Sequence, residues 1–345
     1  MNFLEKDDLV KNTLLLVMIC LIFSCSHQKV RSKKRIVIAH RGASGYLPEH
    51  TLAGVALAHS FGVDFVEPDL VLTKDNHLIV LHDIHLETTT NIKDVYPKRK
   101  RKDGRWYALD FSLEEIKKLQ VYERFNPQTM RPLFPKRFSI GKSSFRVPSF
   151  REYIELVEGL NKTMNKNVGL YPEIKNPQFH KREGKDITAS VMKILEKYGF
   201  KDNSSNIFIQ CFDPKTLKRI RRMNKTIPLV QLIGENSWFE SSVDYNVMKT
   251  EKGIREISTY ANGIGPWINH IFKKLKNGKG VEMTSLTSWA HKANLVVHPY
   301  TVRKDQLPPY AKSLKILLQK MFKEANVDGV FTDHGLEVKK ILKSL

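Results

Sequence analysis

Ile36-Val37-Ile38-Ala39-His40-Arg41 is a run of four apolar residues, three of them β-branched, that stops on a basic pair. Such a run suits a buried strand. The amphipathic stretch Thr51–Ser60 that follows makes it the first half of a βα unit. The same alternation recurs to the end of the chain. Strand-like runs fall at Phe65–Leu70, Val168–Glu173, Ile207–Cys211, Leu229–Ile233, Gly263–Pro266, Leu295–His298 and Gly329–Thr332. Helical stretches between and after them fall at Phe150–Leu160, Ile187–Tyr198, Pro214–Met223, Ile254–Tyr260, Thr284–Lys292, Tyr310–Ala325 and Glu337–Leu342. Eight alternations across residues 36–345 predict an α/β chain closed into a (β/α)8 TIM barrel. An open doubly wound sheet would carry fewer strands and a complete glycine-rich phosphate turn after the first.

Two departures from the alternation stand out. Val71–His82 is a pair of apolar runs around Lys74-Asp75-Asn76-His77, so the second strand is expected to extend into a hairpin. Ile84 to Val147 has poor periodicity, one short helix near Ser112–Leu119, and the basic run Lys98–Lys102. A long excursion of this kind inside a compact domain is expected to act as a lid over a site.

The N-terminus reads as an address. Leu14–Phe23 is an unbroken apolar stretch, too short for the roughly 20 residues of a spanning helix and suited to a signal-peptide core. It ends Ile22-Phe23-Ser24-Cys25, which resembles the lipobox of bacterial lipoproteins, with Cys25 as the acylated residue. Residues 1–24 are therefore expected to be removed, 25–35 to form a polar, basic tether, and 36–345 to form the barrel. The protein is expected to be exported and anchored to a bacterial membrane, in the periplasm or at the cell surface. The acidic Glu5, Asp7 and Asp8 sit poorly in such a signal, and a translation start near Val10 would remove them. Three cysteines, Cys20, Cys25 and Cys211, cannot make a disulfide framework.

The chain holds 57 Lys and Arg against 36 Asp and Glu, a net charge of +21. Such a field attracts polyanions and phosphorylated substrates alike. The bases are scattered, and no zinc-finger, RNA-recognition or helix-turn-helix pattern accompanies them, so no nucleic-acid partner is expected.

In a βα barrel the site lies at the C-terminal ends of the strands, and those ends are unusually polar. They carry His40 and Arg41, Glu67 and Asp69 on one face of their strand, His82 after the hairpin, Glu173 and Lys175, Gln210, and His298. Three carboxylates unpaired in a barrel core would be costly. A divalent cation relieves that cost, and hard oxygen ligands favour Mg²⁺ or Ca²⁺ over Zn²⁺. With Arg41 and Lys175 beside it, a phosphate is the natural ligand. Glu49 follows a proline where a helix begins, and an acid there faces the helix dipole or backs the site. Phe212 and Tyr300 are candidates to line the pocket, as is Trp267.

Several segments carry a more specific likeness. They are His40-Arg41-Gly42-Ala43-Ser44-Gly45-Tyr46-Leu47-Pro48-Glu49-His50-Thr51, Glu67-Pro68-Asp69-Leu70, His82-Asp83 and Tyr171-Pro172-Glu173-Ile174-Lys175. Downstream, Gln210-Cys211-Phe212, Asn262–Pro266, Val296–Val302 and Gly329–Asp333 join them. Together these blocks resemble the glycerophosphodiester phosphodiesterases in their larger, exported bacterial form. The resemblance implies metal ligation by Glu67, Asp69 and Glu173, with Ca²⁺ expected ahead of Mg²⁺. It implies acid/base roles for His40 and His82 and phosphate binding by Arg41 and Lys175. Gln210 and Glu49 are then expected close behind the site. The implied reaction is hydrolysis of a glycerophosphodiester, such as glycerophosphocholine, to sn-glycerol 3-phosphate and an alcohol through a cyclic phosphate. His50, where many relatives have Asn, and His334-Gly335, where they often carry an aromatic residue and a proline, depart from the pattern. Alternatives are a phospholipase D activity on the same barrel and a surface adhesin that uses its basic field.

Overall fold

The computed structural model describes residues 35–275 and 280–345. The expected signal segment, Cys25 and all of the tether but Arg35 lie outside the described residues. Among the described residues no helix is long and apolar enough to cross a membrane.

The parallel barrel is built from β1 (Ile36–His40), β2 (Phe65–Glu67), β3 (Asp69–Leu72), β5 (Gly169–Leu170), β6 (Glu173–Ile174), β7 (Ile209–Cys211), β8 (Leu229–Ile233), β9 (Gly263–Pro266), β12 (Val296–Val297) and β13 (Gly329–Thr332). Antiparallel β4 (Leu78–Val80) folds back on β3, and β10 (Phe272–Lys274) pairs with β11 (Val281–Met283) outside the ring. The ring closes where β1 lies beside β13, with Ile36 opposite Gly329. On the other side of β13, Phe331 N–H donates to Pro299 O at 3.0 Å. The (β/α)8 barrel read from the alternation is the fold.

Two runs drawn as continuous strands are broken. Residues 65–70 split at Pro68 and 168–173 split around Pro172. The register across the gap is unchanged, with Phe65 beside Gly169 and Asp69 beside Glu173, which sets Pro172 beside Pro68. Neither proline has an N–H to give, so the ladder lapses where the two face each other. Beyond the gap β3 outruns β1 and takes β4 as its neighbour on that edge.

Alternation sorts the side chains. Ile38, Phe65, Tyr171, Val230 and Phe331 pack inside the barrel, where Tyr171 stacks on Phe208 with ring centroids 5.0 Å apart. Val37, Ala39, Val66, Leu70 and Ile233 face the surrounding helices. Helices begin where the sequence supplies caps: Ser149 and Glu152 form a reciprocal capping box ahead of Phe150–Thr163, and Asp213 caps Pro214–Met223. The helix expected from Tyr310 starts only at Leu314, capped by Ser313.

The hairpin and the insertion have their own small core. Trp106, Phe111, Ile116 and Leu119 of the insertion pack with Val71 and Ile79 of the hairpin. Its one longer helix is Leu113–Lys117, opened by a capping box of Ser112 and Glu115.

Candidate active site

Strand register assembles the polar end of the barrel. His40 lies beside Glu67, Asp69 beside Glu173, and Glu173 beside Gln210. One oxygen from each of Glu67, Asp69 and Glu173 lies within 4.8 Å of the other two, and all three residues are buried. Asp69 Oδ1 and Gln210 Oε1 are buried acceptors with no donor among the described residues. Burial and the charges of Asp69 and Glu173 hold the Glu67 carboxyl well above the usual range. Burial pushes Glu173 up to about 8 in spite of Lys175. Asp69 goes the other way: its burial is overcome by the fields of His82, His50 and Lys175. Three buried carboxylates, with the orphaned oxygens of Asp69 and Gln210 among them, form a donor set that fits a hard divalent cation.

Both expected histidines flank this cluster, and each is held by an aspartate. His40 Nδ1 donates to Asp333 Oδ1 and His82 Nδ1 to Asp83 Oδ1, both at 2.6 Å. Since a carboxylate only accepts, Nδ1 carries the proton in both rings, which leaves Nε2 for exchange with a ligand. Lys175 donates to His82 Nε2 at 3.4 Å and to Glu173 at 2.7 Å. Burial and Arg41 bring His40 down to about 4. Burial, Arg41 and Lys175 lower His82 as well. Both shifts favour the neutral imidazole.

Arg41 takes a left-handed φ of 57°, which turns its N–H to Glu67 Oε2 at 2.8 Å. Its guanidinium pairs with Glu49 at 3.0 Å and approaches Asp69 at 3.4 Å. Glu49 is thus an ion-pair partner as well as an acid near a helix start. His50, also left-handed, donates through Nε2 to Asp69 Oδ2 at 2.8 Å. His298 is buried and its Nδ1 pairs with the Tyr171 hydroxyl at 2.9 Å, inside the barrel.

His40, Arg41, Glu67, His82, Glu173, Lys175 and Gln210 line a cleft of about 470 Å³. Phe212, Tyr300, Trp267 and Trp238 line the same cleft. Phe212 meets Tyr300 edge-on with centroids 5.9 Å apart, and Trp238 meets Trp267 at 5.3 Å. The lining is thus both charged and aromatic, with Lys175 Nζ 5.4 Å from the Phe212 ring centroid.

The sequence reading missed several members of this site. Asp83 and Asp333 stood inside quoted motifs without a role, although a His-Asp dipeptide and an acid ending the last strand were visible signals. Glu240, 3.5 Å from Lys175, and Arg303, 2.7 Å from Asp333, carried no signal. Arg124 and Arg137 of the insertion were also unmarked.

Residues 40–336 match the Glycerophosphoryl diester phosphodiesterase family. The glycerophosphodiester phosphodiesterase of Haemophilus influenzae is 40% identical over 330 residues, covering 90% of this chain and 91% of that protein. That of Treponema pallidum is 35% identical over 320 residues, covering 88% and 90%. A solved phosphodiesterase of Oleispira antarctica, in complex with the product sn-glycerol 3-phosphate, shares the fold with a TM-score of 0.61 at 19% identity, covering 89% of this chain and 96% of that one. With the match running from the end of the first strand past the last, the chain belongs to the glycerophosphoryl diester phosphodiesterase family.

Proposed function

We propose that the protein hydrolyses glycerophosphodiesters to sn-glycerol 3-phosphate and an alcohol, with a divalent cation held by Glu67, Asp69 and Glu173. The observation that carries this reading is the convergence of three buried carboxylates between two Asp-held imidazoles. Oxygens within 4.8 Å of one another fall inside the span of roughly 5 Å set by two Ca–O bonds, and Ca²⁺ tolerates irregular oxygen geometry better than Mg²⁺ does. When bound, the cation supplies charge to polarise the phosphoryl oxygen and lower the pKa of the attacking hydroxyl.

The chain's own residues do the rest. Arg41 and Lys175 bind and orient the phosphate. One Nε2 takes the proton of the glycerol 2-hydroxyl as it attacks phosphorus, and the other delivers a proton to the departing alcohol. A cyclic glycerophosphate forms, and the same two imidazoles in reversed roles let water open it. Burial and a cationic field depress both histidines, and the negative phosphate offsets the second of these, which allows one imidazole to hold a proton in the complex.

The test is release of sn-glycerol 3-phosphate from glycerophosphocholine by purified protein supplied with Ca²⁺. Chelation is expected to abolish turnover and Glu173→Gln to remove the response to metal. His40→Ala and His82→Ala should each lower kcat by about 10²–10⁴-fold. Full activity after exhaustive chelation would refute the metal reading. Choline release from sphingomyelin, with none from glycerophosphocholine, would replace it with the phospholipase D reading.

A further inference from the structure

The insertion reaches the site through two arginines. Arg124 donates from Nη1 to Asp83 Oδ2 at 2.7 Å, and from Nε and Nη2 to the two oxygens of Glu49 at 3.0 and 2.7 Å. Asp83 holds His82, and Glu49 holds Arg41. Arg137 donates from Nη2 to Asp333 Oδ2 at 2.7 Å, grips Asp305 through Nε and Nη2 at 2.8 and 3.0 Å, and reaches Ser44 O at 3.3 Å. Asp333 holds His40, and the Ser44 hydroxyl donates to the His40 carbonyl at 2.7 Å. The Arg124 and Arg137 side chains are only 14% and 5% exposed. Withdrawing a guanidinium from water is costly unless its donors find well-placed acceptors. Here the acceptors include the carboxylates that already orient the two histidines.

We propose that Arg124 and Arg137 are positioning residues through which the insertion fixes the aim of His82 and His40, one arginine behind each histidine–aspartate pair. The two arms are not equal. Asp333 Oδ2 also accepts from Arg303 at 2.7 Å, whereas the second donor on Asp83 Oδ2 is only the Thr88 hydroxyl at 2.6 Å. Arg124 also steadies Arg41 through Glu49, so the His82 arm should be the more sensitive. Lysine cannot replace it, because a single ammonium lacks the planar fork that spans two carboxylates.

The inference rests on the acid/base reading of the histidines, and its experiment separates the two. Arg124→Ala, Arg124→Lys and Arg137→Ala are compared with His40→Ala and His82→Ala on two glycerophosphodiesters, one losing choline and one losing p-nitrophenol. Arg124→Ala is expected to lower kcat about 10²-fold, the scale of a small misplacement of a reacting group, with KM within about threefold. Arg124→Lys should not recover it, added guanidinium ion should recover it at least tenfold, and Arg137→Ala should lose about tenfold. The penalty of the arginine behind the leaving-group acid should shrink about tenfold or more with p-nitrophenol, which needs no proton, while the other variant loses rate equally on both substrates. Should Arg124→Ala fail to fold, Arg124→Gln gives the same readings. Folded arginine variants with kcat near wild type would overturn the proposal. So would a loss of equal size on both substrates in both arms. Active histidine variants would instead remove the acid/base reading beneath it.

Discussion

Glu123, the neighbour of Arg124, is 3% exposed, and its Oε2 is buried without a hydrogen-bond donor among the described residues. Burial, reinforced by Glu49, pushes its carboxyl up to about 8. Between the ordinary glutamate value and 8 the folded chain keeps a proton that the unfolded chain has lost, so stability falls as pH rises through that window. Glu123→Gln should remove this dependence and raise the melting temperature at pH 9 by about 1–2 °C, the shift expected for about 1 kcal/mol in a folded chain of this size. Equal melting temperatures for the two proteins at pH 9 would refute it. Single residues also show where the sequence could be read. His40, Glu67, Asp69, Glu173 and Lys175 end strands or adjoin their ends, so a period of two and the barrel's polarity locate them without coordinates. Asp333 adjoins the end of the last strand and could be located the same way, but its role could not: it meets His40 across 293 residues of chain, and no local pattern encodes a partner so remote.

Periodicity identified the barrel strands because a strand shows its pattern over a few residues. It could not show the lapse at Pro68 and Pro172, which depends on two prolines from separate strands meeting in register. The insertion was harder still. Its order comes from a private core, and that core borrows Val71 and Ile79 from the hairpin. Insertion and barrel should therefore melt together. Phe111 is fully buried, with the Arg99 guanidinium 4.1 Å above its ring, and Phe111→Ala is expected to cost about 3–5 kcal/mol. Tryptophan fluorescence and far-ultraviolet dichroism should then report one transition at a lower temperature. Two separated transitions would mean that the insertion folds independently of the barrel.

A net charge of +21 surrounds the whole molecule. At about 0.1 M salt the field of exposed charges is screened beyond roughly 10 Å, so steering of an anionic substrate should weaken as salt is added. Glycerophosphoglycerol carries a net negative charge and glycerophosphocholine is a zwitterion. The kcat/KM of the former should fall several-fold on raising NaCl from about 20 to 200 mM, and that of the latter much less. Identical salt dependence for the two would rule steering out. The join between Ile36 and Gly329 bears on how the chain is made. A ribosome delivers the first strand near the start of synthesis and its seam partner almost at the end. Until residues 329–332 emerge, one edge of the growing sheet has nothing to pair with and stays a template for other chains. A transcript cut short by a few dozen codons would leave an unsealed polypeptide for proteases and chaperones to deal with.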